Sequence, residues 1–218
     1  MDLSIHPDLA SRTRLGVVVL DGVTVREEDP ALAAEIEAFA KEMRSRYASG
    51  PSGDVPGAAD ARALYKALGL DPTKVRPSSE SLTRRVLKGE ALYRVNTLVD
   101  ALNLSSLRYQ LPFGLYDLDA VSPPVLLRRG APGESYEGIR KGPVNVEGRP
   151  VLVDAQGPFG NPTSDSARTM ITVGTRRALV TVYAPASYNA SRLGEVVDGT
   201  AETLRRFSGG GVTERRII

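Results

Sequence analysis

The sequence predicts an α+β fold in which a mixed or mainly antiparallel sheet is flanked by helices. Two observations carry that expectation. Residues 1–110 place one apolar strand pattern ahead of a series of amphipathic helix patterns, and the second half changes to short extended runs divided by glycine and proline. No internal repeat links the runs. With 218 residues, 41% hydrophobic and 25% charged, the chain is long enough to bury a substantial core and lacks the bias of a disordered segment.

Residues 15–20, LGVVVL, followed by Asp21-Gly22, read as a buried strand ending in a turn. Asp29-Pro30 supplies an N-cap and a first-turn proline. Leu32, Ile36, Phe39, Met43 and Tyr47 follow at near-helical spacing, so residues 30–48 are expected to form an amphipathic helix. Further helices are expected over 56–68, closing at Gly69, and from a Ser78 cap to Lys88, with Gly89 just past the end. From Leu92, the apolar positions Leu92, Val95, Leu98, Val99 and Leu102 share one helical face. Beside it, Asn96, Asp100 and Asn103 at i, i+4 and i+7 form a polar stripe. That stripe is either the wall of a cleft or the wet shoulder of an ordinary surface helix. Pro112 and Gly114 then fix the backbone at one point and free it at another, as suits a loop close to a ligand.

Val125–Arg129, Pro150–Asp154, Thr169–Val173 and Arg177–Ala184 are the later strand candidates, with 130–148 a loop or irregular hairpin. Along the last strand Leu179, Thr181 and Tyr183 share one face, opposite Ala178, Val180 and Val182, and one of the two faces is expected to be core. Leu193, Val196, Val197, Leu204 and Phe207 define a closing helix before Gly209-Gly210-Gly211.

The absence of cysteine removes disulfides, thiolate nucleophiles and cysteine-bound zinc. The single histidine, His6, reads as a surface residue or helix cap, and without a G-x-S-x-G elbow a Ser-His-Asp hydrolase has no support. There is no G-x-x-x-x-G-K-S/T loop, no G-x-G-x-x-G after a strand and no H-E-x-x-H. Asp117, Asp119, Asp154 and Asp165 are scattered in the manner of loop caps rather than of a magnesium site, so no metal or cofactor is expected. No apolar run reaches membrane-spanning length and the opening residues lack a signal-peptide pattern, so the expectation is a cytoplasmic protein without a membrane partner.

The net charge of +2 conceals basic pairs: Arg84-Arg85, Arg128-Arg129, Arg140-Lys141, Arg176-Arg177, Arg205-Arg206 and Arg215-Arg216. Each alone reads as solvated surface. Gathered on one face they would suit a phosphate backbone. The segment 154–175 is a second polar concentration, with Gln156, Asn161, Thr163, Ser164, Asp165, Ser166, Arg168, Thr169, Thr172 and Thr175 among turn-forming residues. Such groups can orient water, bind an α-ammonium group or donate to an oxyanion; they are also the composition of any polar loop.

Residues 94–103, RVNTLVDALN, followed by 111–119, LPFGLYDLD, resemble the core of the tRNA-editing module, domains B-three and B-four, of the bacterial phenylalanyl-tRNA synthetase β subunit. That core has an Asn-x-x-x-Asp-x-x-Asn helix and then a Pro-x-His-x-Phe-Asp turn. The resemblance runs on through Asp154-Ala155-Gln156-Gly157 to Val180-Thr181-Val182-Tyr183, covering residues 76–190, and no other synthetase domain accompanies it, as in a free-standing relative. It implies an α+β fold and hydrolysis of a wrong amino acid from the 3′ end of tRNA. Asn96, Asp100 and Asn103 match the helix, Pro112, Tyr116 and Asp117 the turn, and Gly157 the following loop. Gly114 stands where the family has its active-site histidine, and Thr181 where it has a glutamate that helps select tyrosine. An aminoacyl ester is already activated, so loss of the histidine leaves hydrolysis open, while loss of the glutamate predicts a preference other than tyrosine.

The expected organisation is an N-terminal strand and helices over 1–75, an editing-like core over 76–208 and a basic tail over 209–218. Asn96, Thr169 and Thr181 are the expected catalytic group. Asp100, Asn103, Pro112, Gly114, Tyr116, Asp154, Gln156, Gly157, Ser164, Asp165, Arg168 and Thr172 are expected around the substrate, and Arg84, Arg85, Arg128, Arg129, Arg140 and Lys141 on the RNA. The function this implies is a trans-acting deacylase of mischarged aminoacyl-tRNA. Two rivals stand beside it: a tRNA- or RNA-binding module without turnover, and a pocket for a free amino acid or other small molecule.

Overall fold

The computed structural model describes residues 1–218. In chain order the elements are β1 (Leu3–Ile5), α1 (Pro7–Ala10), β2 (Thr13–Asp21), α2 (Pro30–Tyr47), α3 (Ala58–Ala67), α4 (Ser78–Leu87), α5 (Thr97–Tyr109), β3 (Phe113–Asp117), β4 (Val125–Arg129), β5 (Ser135–Gly138), β6 (Lys141–Asn145), β7 (Pro150–Asp154), β8 (Gly157–Asn161), β9 (Ser164–Asp165), β10 (Arg177–Pro185), α6 (Ala190–Ser208) and β11 (Gly211–Ile217). The fold is α+β. One four-stranded sheet, ordered β11-β2-β10-β3, is antiparallel throughout. A five-stranded sheet, ordered β1-β4-β7-β8-β9, is antiparallel except for β1 on β4, and β5-β6 is a separate hairpin.

The four-stranded sheet is buried on both faces, as near-continuous apolar runs require. Val18, Leu20, Val180 and Val182 pack with Leu32 and Ile36 of α2, Val86 of α4, Leu98 and Leu104 of α5, and Leu193 and Phe207 of α6. Leu15, Val17, Leu179 and Tyr183 face the other way, onto Leu64 and Tyr65 of α3 and Leu127, Leu152 and Phe159 of the second sheet. The expectation that one face of β10 is core is thereby extended to both. Burying Leu98 and Leu104 completely stabilises the seat of α5 by about 2 kcal/mol each.

Two polar knots fix the helices that matter for the site. Glu80 of α4, almost fully buried, accepts from Arg62 Nε and Nη2 at 2.8 and 2.7 Å and from the Ser52 hydroxyl, which ties α4 to α3. Gln110, in the left-handed conformation at the end of α5, donates to Thr83 Oγ1 and to the Leu107 carbonyl.

Several local expectations are corrected. The helix expected from Leu92 starts at Thr97, because the Asn96 side chain accepts from the Val99 amide and caps it there. Ser78 opens α4 but does not cap it: its hydroxyl donates to the Pro162 carbonyl. Pro112 to Gly114 is not a loop but the entry to β3, with Gly114 opposite Thr181. Thr169–Val173 is not a strand, whereas 130–148 does hold an irregular hairpin, β5-β6, as one of its two expected forms. Residues 209–218 are not a free tail: β11 pairs along β2, with alternate side chains exposed as at a sheet edge. No helix is long and apolar enough to cross a membrane.

Candidate functional site

A cavity of about 990 Å3 opens between α4, α5, β3, the β5-β6 turn and the segment 162–173. One wall is the α5 face, with Asn96, Val99, Leu102 and Asn103. Phe113 and Leu115 of β3 form an apolar floor, and Thr163, Ser164, Asp165, Ile171 and Thr172 line the opposite side. The two polar segments singled out in the sequence therefore face one space. At the rim stand Val95, Ile139, Met170 and Val173, each between 38% and 54% exposed, together with Arg76, Arg140 and Glu27. Large exposed apolar side chains gathered at one opening mark a surface built to be covered.

The stripe on α5 divides. Asn96 spends its carbonyl oxygen on the Val99 amide at 3.0 Å, so its Nδ2 is the group left to donate toward the cavity. Asn103 also lines the space. Asp100 does not: it accepts from the Val95 amide at 3.1 Å and lies 3.8 Å from Arg94, and burial pushes its carboxyl above the ordinary range, with Val95 and Arg94 opposing. It shapes the entry to the helix.

Asp165 is the ionisable group set into the wall. Its Oδ1 is sealed from solvent and has no hydrogen-bond partner. Burial pushes the carboxyl up to about 7, while the Tyr116 hydroxyl, the Lys141 ammonium and the Leu115 amide pull it partway back. Three phenols surround it. Tyr116 and Tyr183 face each other at 3.4 Å, and Tyr136 donates to the Ser164 carbonyl and accepts from Asn161 Nδ2. Burial raises all three, and the Asp165 charge adds to it. Lys141 donates to Ser164 Oγ at 2.6 Å.

Other expected residues lie elsewhere. Thr169 and Thr181 are fully buried, their hydroxyls lack partners, and neither lines the cavity. Gly114 faces away from the space that Phe113 and Leu115 line. A Cβ there would run into the Tyr116 hydroxyl and stand 2.7 Å from Thr181 Oγ1, and one at Gly160 would run into the same phenol ring. Tyr116 thus fills the interior beside Gly114, edge-on to Phe159 at 4.9 Å. Pro112 is buried and accepts from the Tyr183 amide. Asp154 is fully engaged by Arg168, Ser122 and Gln156. Burial raises its carboxyl, yet these donors outweigh it and hold the group below the usual range. Gln156 is exposed and donates to Ser122, and Gly157 is a positive-φ turn residue.

Of the basic residues, Arg140 lines the cavity and Lys141 follows it on the same hairpin. Arg84 is exposed on α4. Arg85 pairs with Glu90 and stacks on Tyr93, Arg128 forms a two-pronged pair with Glu134, and Arg129 holds the carbonyls of Leu68 and Gly148. The pairs do not make one free positive face.

Residues 60–210 of this sequence match the B3/4 domain. The chain belongs to the B3/4 domain family. The match begins upstream of residue 76, taking in α3, which supplies the Arg62 that anchors α4. Among solved structures, this B3/4 protein is similar to an N-terminal fragment of the phenylalanyl-tRNA synthetase β subunit from Pyrococcus horikoshii, with a TM-score of 0.44 and 12% identity over all of this chain and 50% of that one. It spans half the length of that fragment. No curated protein matches it.

Within this B3/4 domain the cavity joins amide donors, an apolar floor and the Asp165 carboxyl, which suits a ligand that is part polar and part apolar. No group of three or more His, Asp or Glu side chains converges to hold a metal ion. Ser78, Ser81, Arg76 and the apolar rim escaped the sequence reading, because only the folded arrangement shows that α4 and the β5-β6 turn meet over α5.

Proposed function

We propose that this B3/4 domain is an aminoacyl-tRNA deacylase that binds the aminoacyl end of tRNA in the 990 Å3 cavity and hydrolyses the ester. The observation that carries the reading is the meeting of Asn96 and Asn103 with the 163–172 segment around an apolar floor, in a B3/4-family chain whose 94–103 segment resembles the helix of an editing module. Phe113, Leu115, Val99 and Leu102 would receive an apolar amino-acid side chain. Asn96 Nδ2 would donate to the ester carbonyl, where negative charge develops on attack by water. Arg140, Arg76 and Lys141 stand near the opening, where the terminal phosphates of the acceptor strand would pass. Thr169 and Thr181 have no part in this arrangement.

The test is release of amino acid from a panel of mischarged tRNAs at substoichiometric protein. Turnover of at least one member is expected. Replacing Asn96 by Asp keeps a capping oxygen but removes the donor, so N96D should fold as the wild type does and lose about a hundredfold in turnover. No release from any member, with tRNA still bound in a salt-sensitive manner, would replace the deacylase by a tRNA-binding module. Binding of a free amino acid with no effect of tRNA would replace both.

A further inference from the structure

Tyr93, in the segment between α4 and α5, is exposed and yet fixed. At 65% it is the most exposed large hydrophobic side chain of the protein, whereas every other tyrosine is buried or half-buried. The Arg85 guanidinium lies over one face of its ring, 4.1 Å from the centroid, and donates to the Tyr93 hydroxyl at 3.1 Å, to Glu90 at 2.9 Å and to the Ala91 carbonyl. Ordering an exposed aromatic in this way costs side-chain entropy and leaves the face opposite Arg85 in water. The ring also continues the cavity outward along two elements. On α4, Ser81 and Leu82 line the space, and Arg85 follows them by four and three residues on the same helical face. Lys88 takes the next step on that face; it and Arg84 are exposed and enter no ion pair. On the segment entering α5, Val95 stands at the rim, and Tyr93 precedes it by two residues, within about 7 Å along the chain.

We propose that the free face of Tyr93 is a stacking platform for an unpaired base of a single-stranded 3′ end, just upstream of the terminal adenosine, with Lys88 and Arg84 beside its phosphates. The assignment rests on the reading of the cavity as the seat of the aminoacyl end, and it adds a second point of attachment outside that cavity. Every base has a π-face, so such a platform tolerates any sequence and asks only that the base be free to leave its own stack. A duplex does not meet that condition, and a single strand does. Arg85, already engaged by Glu90, holds the ring rather than a phosphate. The rival occupant is a protein surface. Cations rather than apolar side chains follow the ring along α4, and a phosphodiester strand gains from them where an apolar protein partner does not.

The probes are non-hydrolysable 3′-aminoacylamino-adenosines with leucyl, valyl and phenylalanyl side chains. Each is offered alone, as the 3′ residue of the trinucleotide C-C-A, and as that trinucleotide with both cytosines replaced by abasic residues, titrated calorimetrically into the full chain. The wild type should bind the trinucleotide roughly ten- to a hundredfold more tightly than the abasic strand. Tyr93→Leu should lose that preference while binding the lone nucleoside as the wild type does, and Tyr93→Phe, which keeps the ring, should retain it. Equal wild-type affinity for the trinucleotide and its abasic form, with turnover of a mischarged tRNA intact, would overturn the platform and leave the deacylase reading standing. Equal weakening of lone nucleoside and trinucleotide in Y93L would overturn it in favour of a clip that merely holds the α4–α5 connection. A wild-type dimer in sedimentation that Y93L dissociates, with the trinucleotide preference unchanged, would overturn it in favour of a protein contact. Absence of binding by any probe, together with absence of turnover, would overturn both readings.

Discussion

Asp154 and Asp165 stand on the same polar segment, and the fold treats them in opposite ways. Asp154 is buried with four donors on its two oxygens, so its charge is held and its carboxyl lies below the ordinary range. Asp165 is partly buried, with Oδ1 sealed and unpartnered, and burial pushes its carboxyl up to about 7. The first closes the β7-β8 turn against Ser122 and Arg168. The second faces a cavity. The difference teaches that polar content alone does not mark a site: the saturated carboxylate holds the frame, and the unsaturated one lies on the cavity wall with one oxygen turned into the interior.

Substitution should reverse sign between the two. Asp154→Ala leaves Arg168 unpaired beside a buried gap, and should destabilise the protein by about 3 kcal/mol, lowering the melting temperature by roughly 6–12 °C at pH 7. Because the Asp154 carboxyl is depressed in the folded state, its contribution is present above its ordinary value near 4 and is lost as pH falls through the folded value, so the deficit of the variant should shrink in acid. Thermal unfolding across pH would read both effects.

Asp165→Asn should act more weakly and in the other direction. A carboxyl raised in the folded state makes the native protein less stable as pH rises from about 4 to about 7, and the amide carries no such penalty. D165N should therefore melt higher than the wild type at pH 8, by about 2 kcal/mol or roughly 4–8 °C, with the gap closing toward pH 4. A variant less stable than the wild type at pH 8 would mean that the carboxyl is held by contacts of the Asp154 kind, and the contrast would collapse.

The frame was more legible in the sequence than the site. The apolar run 15–20, the Asp29-Pro30 cap and the spacing of α2 and α6 each report local physics, and each element lies where that physics puts it. Asn96 shows the limit: it fits a helical period and also caps a helix, and periodicity cannot separate the two. Gly114 shows another. Its place in the motif is readable, but that Tyr116 folds back against it and fills the interior follows only from the pairing of β3 with β10. Strand β11 was hidden because its charged, glycine-led sequence reads as a tail until β2 offers it an edge. Asp154 and Asp165 look alike in sequence because their partners lie on distant segments, at Ser122, at Tyr116 and across the hairpin.

The most direct measurement of the central claim is a crystal structure of the chain with a non-hydrolysable 3′-aminoacylamino-adenosine. The account predicts the amino-acid side chain on Phe113 and Leu115 and the carbonyl within hydrogen-bond reach of Asn96 Nδ2. An analogue lodged instead beside Gly114 and Thr181, with Tyr116 displaced, would contradict it.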